Sequence, residues 1–136
     1  MDPSDYMKDP RPAVQSQLST SLPGINTFVT THDPETNKSK LHSTREGSWN
    51  HLDDKKVGVS YIYTLPHDAD LNDEKDLKQS DELIQSKKVG LTREDGTNAF
   101  YVDFSPGYEY AMHKTQSLDF GIVLVSLVWS YCEKYV

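Results

Sequence analysis

Hydrophobic and polar residues alternate in several short stretches of this chain, and each reads as a β-strand. Ile25 to His32 (INTFVTTH) is rich in β-formers. The polar run 33–38 is a turn by composition, and Ser39 to Thr44 is expected to return as the second strand of a hairpin. Val57 to Leu65 (VGVSYIYTL) is the clearest strand. Period-two alternation places Val57, Val59, Tyr61 and Tyr63 on one face, and Pro66 ends the run. Thr97 to Phe104 alternates as well, with Phe100, Val102 and Phe104 together. Ser105-Pro106-Gly107 then turns the chain. Tyr108 to Met112 and Ser117 to Val128 are the next expected strands.

The intervening segments are polar. Arg45 to Lys56 reads as a loop with Trp49 as its one large anchor. In 67–88 the apolar residues Leu71, Leu77, Leu83 and Ile84 are too sparse for an amphipathic helix, which predicts an exposed loop with one helical turn. Residues 1–24 hold Pro3, Pro10, Pro12 and Pro23 among Ser, Gln and Thr, and read as a flexible leader strapped on at Ala13-Val14. No internal repeat is visible. Short strands separated by turns, with no long helix, predict an all-β barrel or sandwich.

Composition narrows this picture. The 136 residues allow one domain at most, and 35% apolar content supports only a modest core. Twenty-one acidic against 14 basic residues give a net charge of −7. Without a basic run, that balance argues against nucleic acid and anionic membrane as partners. The longest apolar stretch, Phe120 to Val128, is too short to span a bilayer, and MDPSDYMKDPRP has no signal-peptide core. The single cysteine, Cys132, excludes an internal disulfide and fits a reducing compartment, so a cytoplasmic location is expected. No histidine or basic pair flanks Cys132 to activate it. No phosphate loop, CxxC pair or nucleophile elbow occurs.

The candidate chemistry lies in Ser105 to Leu124, SPGYEYAMHKTQSLDFGIVL. His113 has a side chain suited to a transition metal, though one histidine is too few for a site. Its simpler reading is a strand histidine, paired or solvated. Asp119 is a second ligand, a proton carrier, or a surface carboxylate. The even spacing from His113 puts both on one face of a continuous strand, unless 114–117 turns. Thr115 offers a hydroxyl to a ligand and is also an ordinary strand residue. His32 and His42 read as a polar pair across the first hairpin rather than as ligands. Tyr61, Tyr63, Tyr101, Tyr108 and Tyr110 read as packing or lining residues, and a cavity they line suits an aromatic or polyketide-like small molecule.

The series Gly107, His113, Thr115, Asp119 and Ser126 resembles the first motif of the cupin superfamily. That motif runs Gly, five residues, His, one residue, His, three or four residues, Glu, six residues, Gly. MHKTQSLDFGIVL is especially similar to the single-domain cupins of filamentous fungi, and INTFVTTHDPETNKSKLH to their opening segment. The resemblance covers about residues 25–124. Thr115 stands where the motif has its second His and Asp119 where it has Glu, both as in the fungal subgroup. Val125 and Ser126 replace the subgroup's Glu and Gly, and the second cupin motif is absent.

This resemblance implies a jelly-roll-like cupin β-barrel over 25–124, left open because its C-terminal strands are missing. The first motif lies at 107–126, and 125–136 forms a non-matching tail. It implies His113 as a metal ligand, with Asp119 and Thr115 in catalytic positions. It implies a divalent transition metal in a full-length relative. With only His113 and Asp119 at ligand positions, this chain is expected to hold such a metal weakly or not at all. The implied function is a cupin-domain tailoring enzyme of fungal secondary-metabolite biosynthesis, performing an oxidoreductase, decarboxylase or isomerase step, or an inactive truncated form of one. The alternative is a non-catalytic module that binds a small molecule. A homodimer is the implied assembly. The abrupt end of the match at Leu124 is read as an intron translated from Val125 onward.

Overall fold

The computed structural model describes Leu22, residues 24–111 and residues 113–124. Most of the leader, Met112 and the tail from Val125, including Ser126 and Cys132, therefore lie outside the described residues. The described chain is all-β in class. It has two antiparallel sheets, which do not close into a barrel, and one short α-helix.

Strands β1 (Asn26–His32) and β2 (Ser39–Glu46) form the first sheet. Asp33 fixes the turn between them. Its Oδ1 accepts from the Glu35 and Thr36 amides at 3.0 and 2.9 Å and from the Thr36 hydroxyl at 3.1 Å. Those donors hold the Asp33 carboxyl below its ordinary pKa, the Thr36 amide contributing most. A bulge between Val29 and Thr30 shifts the register. His32 lies opposite Ser39, and His42 falls at the irregularity between Leu41 and Ser43. The expected His32–His42 pairing is thus overturned: the turn over 33–38 closes with Ser39 opposite His32, three positions short of His42.

The second sheet runs β3 (Trp49–Leu52), β4 (Val57–Pro66), β5 (Gly96–Phe104) in that order. The expected loop over 45–56 is therefore corrected: β2 continues to Glu46, and Trp49–Leu52 pairs with Val57–Ser60. Strand β4 holds the core, with Val57, Val59, Ser60 and Thr64 buried. Its register with β5 shifts between Tyr61 and Tyr63. Val57, Val59 and Tyr61 lie opposite Phe104, Val102 and Phe100, so these six share a face. Tyr61 and Phe100 meet edge to face at 5.6 Å. Past the shift, Tyr63 lies opposite Ala99, which sits on the other face. The expectation that Tyr63 shares a face with Tyr61 fails for that reason, since one inserted residue inverts a period of two.

Helix α1 (Lys75–Gln85) replaces the exposed loop expected over 67–88. Leu77, Ser80 and Ile84 are spaced three and four apart and form its inner stripe, with Ser80 fully buried at the centre. A polar residue at that position hid the pattern in the sequence. Asp70 organises the approach to the helix. Its Oδ1 accepts from the Asn72 amide at 2.9 Å, and its Oδ2 accepts from Lys75 Nζ at 2.6 Å. The helix runs beside β4 beyond the reach of β3. There the Thr64 amide donates to Ser80 Oγ at 3.1 Å.

The Pro106-Gly107 turn forms as expected. The Tyr108 amide donates to the Ser105 carbonyl at 3.0 Å, and Gly107 has φ of +71°, which an L residue rarely adopts. The expected strands over 108–112 and 117–128 are not found among the described residues. The described residues 108–111 and 117–124 are non-regular, with Leu118 85%, Phe120 90% and Ile122 83% exposed. A strand needs a neighbour to bond, and none is recorded there. No helix among the described residues is long and apolar enough to cross a membrane.

Ser80→Ala removes the acceptor of a buried amide while leaving the helix propensity high. It is expected to destabilise the fold by about 1–3 kcal/mol. The exposed neighbour Gln79→Ala should stay within about 0.5 kcal/mol of the parent chain. Urea unfolding followed by circular dichroism checks this, and equal midpoints for the two variants would refute the role assigned to Ser80.

Candidate functional site

The residues singled out by the motif do not converge. His113 is exposed, and its Nδ1 lies 3.0 Å from the Ala111 carbonyl, with the ring edge-on to Tyr110 at 5.0 Å. Thr115 is exposed and donates its hydroxyl to the Ser117 carbonyl at 3.2 Å. Asp119 is exposed and makes no recorded hydrogen bond or ion pair. All recorded contacts of this trio are with residues two or three positions away. As placed, the three do not offer a joint donor set to a metal. Among the described residues no group of three His, Cys, Asp or Glu side chains is arranged to hold one.

A different constellation forms on the second sheet. Trp49 lies opposite Ser60, which lies opposite Tyr101. One step along, His51, Gly58 and Asp103 form the next row of the same face. The shift in β4 adds Tyr63 to this face. It is therefore polar and aromatic, whereas the opposite face carries Val57, Val59, Phe100 and Val102.

The link from β2 to β3 lies against this face. The Gly47 amide donates to the Ile25 carbonyl at 2.9 Å. A Cβ at Gly47 would stand 2.7 Å from Ile25 Cγ1, 3.2 Å from Ser60 Oγ and 3.3 Å from Trp49 Nε1. The chain passes too close here for any larger residue. Two residues earlier, Arg45 reaches α1, where its Nη1 pairs with Asp81 Oδ1 at 2.6 Å. On the same side of α1, Asp76 Oδ2 accepts from the Tyr63 hydroxyl at 2.6 Å, and Glu74 lies 3.5 Å from His42 Nε2. Asp81 and Asp76 thus fasten α1 to β2 and β4.

Burial, then the hydrogen bond to Asp76 and that carboxylate's charge, push the Tyr63 phenol up to about 12; the positive charge of Arg45 acts in the opposite sense. The two cavities lie elsewhere. One of about 260 Å³ sits between the C-terminal end of α1 and β5, lined by Leu83, Val89, Arg93 and Asn98. The other, about 290 Å³, is bounded by Asp53, Lys56, Tyr108 and Glu109. There desolvation and a hydrogen bond to Asp53 raise the Tyr108 phenol to about 12.

Arg45, Trp49 and Ser60 went unnoticed in the sequence as site residues. The one available signal was the size of Trp49 within a polar stretch. Strand register and the reach of an arginine across a helix leave no trace in spacing.

The chain is 33% identical over 98 residues to the cupin-domain-containing oxidoreductase fogC of Aspergillus ruber, covering 71% of this chain and 46% of that protein. It is 32% identical over 115 residues to the Oryzines biosynthesis cluster protein J of Aspergillus oryzae, covering 76% of this chain and 58% of that protein. The chain thus spans about half the length of these curated relatives. No family model matches it, and no solved structure does.

The raised phenol of Tyr63 generates a test. Its folded value of about 12 lies above the ordinary tyrosine value of about 10. The stability it confers is therefore fully present below pH 10 and is lost as pH rises from 10 to 12. Tyr63→Phe is expected to lower stability at neutral pH and to flatten the loss between pH 10 and 12. Urea midpoints at stepped pH check this, and parallel curves for the two proteins would refute it.

Proposed function

We propose that this chain, a fungal cupin-like protein, is a tailoring enzyme of secondary-metabolite biosynthesis, oxidoreductase-like in class. The observation that carries the reading is its similarity to the two Aspergillus proteins, one named a cupin-domain-containing oxidoreductase and the other a biosynthesis cluster protein. The polar and aromatic face of β3, β4 and β5 supports a small-molecule substrate, with Trp49, Tyr63 and Tyr101 suited to an aromatic or polyketide-like one. The reading includes a cytoplasmic location and a homodimer. It keeps His113, Asp119 and Thr115 as the residues the motif assigns to chemistry. The three are exposed and share no contact in the structure.

A second reading, a small-molecule-binding module without turnover, is favoured by one observation. The buried polar face gathers hydrogen-bonding groups, while the acid and base candidates lie outside it.

Deleting the gene in a fungus that expresses it, with metabolite profiling, tests the proposal. One biosynthetic intermediate is expected to accumulate, and the purified protein to convert it. Stoichiometric binding of that intermediate without conversion would select the binding module. An unchanged profile would reject both.

A further inference from the structure

The cavity of about 260 Å³ between α1 and β5 is walled by an irregular segment, residues 86–95, that hydrogen bonds hold in place. The Tyr61 hydroxyl donates to the Val89 carbonyl at 3.0 Å, and Asn98 Nδ2 donates to the Gly90 carbonyl at 2.9 Å. Asn98 is itself fixed, since its Oδ1 accepts from the Thr64 hydroxyl at 2.6 Å. Both anchors stand on the second sheet, so the cavity is formed in advance of any ligand. Three charged residues line it, Lys88, Arg93 and Glu94. Among the described residues, the side chains of Lys88 and Glu94 make no recorded hydrogen bond or ion pair. Arg93 uses only its Nε, which donates to the Asp95 carbonyl at 3.4 Å. A Cβ at Gly96 would stand 2.6 Å from both Cδ and Nε of Arg93, so the arginine stem crosses β5 where only glycine leaves room. Its Nη1 and Nη2 are left without an acceptor. A lysine just after a helix ordinarily serves the last carbonyls. Here the Ser86 amide, the Ser86 hydroxyl and the Lys87 amide already donate to the carbonyls of Glu82, Leu83 and Ile84 at 3.0, 2.6 and 3.1 Å. Lys88 is therefore not needed for that task.

We propose that this cavity binds a free amino acid with an apolar side chain, as its zwitterion. Two cations and one carboxylate in one lining call for a ligand that carries both signs of charge. The ligand's carboxylate is taken by Arg93 and Lys88, whose planar fork and point charge suit its two oxygens. Its ammonium is taken by Glu94. Leu83 and Val89 of the same lining receive the apolar side chain. A dianion such as phosphate fits less well, because Glu94 repels it. A neutral apolar molecule leaves all three charges unanswered. The volume suits a molecule of amino-acid size, smaller than the ligands of most drug-binding pockets. The site lies apart from His113, Thr115 and Asp119 and goes beyond the function proposed above.

Calorimetric titration of the full chain with L-leucine tests the proposal, beside two analogues that each lack one charge. Leucinamide lacks the carboxylate, and isocaproate lacks the ammonium. Saturable leucine binding is expected, with each analogue weaker by about tenfold or more. Lys88→Gln, Arg93→Gln and Glu94→Gln should each weaken leucine by about tenfold. Lys88 and Glu94 are exposed, so their variants keep the fold, and circular dichroism with the unfolding midpoint verifies it for all three. Amide NMR spectra of the parent chain locate the ligand independently of any variant, with shifts expected at Val89, Gly90 and Asn98. No saturation by about 10 mM leucine, analogues equal to leucine, indifference to all three variants, or shifts confined to residues outside this cavity would each overturn the inference. Metabolite profiling of the deletion strain does not depend on leucine, so the two proposals can fail separately.

Discussion

Strand β4 has two edges, and strand pairing covers only one of them along its whole length. Its β5 edge is bonded from Val57 to Pro66, but β3 accompanies the other edge only as far as Ser60. An amide buried beyond that point needs an acceptor, and Ser80 on α1 supplies it. The position of the helix follows from this constraint. Once Ser80 is set against Thr64, Asp76 reaches Tyr63 and Asp81 reaches Arg45. The first sheet, which carries Arg45, is thereby tied to the second through the helix. Bare strand edges invite unwanted pairing, and a short helix along this one is a common natural remedy.

The same arrangement creates the polar face. The irregularity between Tyr61 and Tyr63 turns Tyr63 away from Val57 and Val59 and toward Trp49 and Ser60. Arg45 of the first sheet pairs with Asp81 of α1. An apolar face and a hydrogen-bonding face are thus carried on the two sides of one small sheet. The apolar side supplies burial, and the polar side gathers hydrogen-bonding groups.

The motif segment stands apart from this assembly. His113, Thr115 and Asp119 share a region of sequence without sharing a site in the described structure. Motif spacing specifies chemistry only when a fold converts it into proximity, and here the described residues of 108–124 have no strand partner to do so. The similarity to the two Aspergillus proteins rests on the length of the alignment, independent of that geometry.

The sequence by itself determined the all-β class, the hairpin of β1 and β2, strands β4 and β5 nearly to the residue, and the Pro106-Gly107 turn. Each of these is written in local terms: alternation, β-branched content, and turn residues whose backbone preferences act over three or four positions. The cupin resemblance was legible for a similar reason, since a motif is a local string. Only the tertiary structure decided the rest. Helix α1 was concealed because its central inward residue is Ser80, which is buried for a hydrogen bond rather than for apolar area. Tyr63 changed face because one extra residue in a ladder reverses every side chain after it. The polar face was invisible because Trp49, Ser60 and Tyr101 come from three strands, and strand pairing sets their distances. The described residues past Tyr108 form no strand because alternation states a preference for extended backbone, while a strand exists only where a second chain segment accepts its hydrogen bonds.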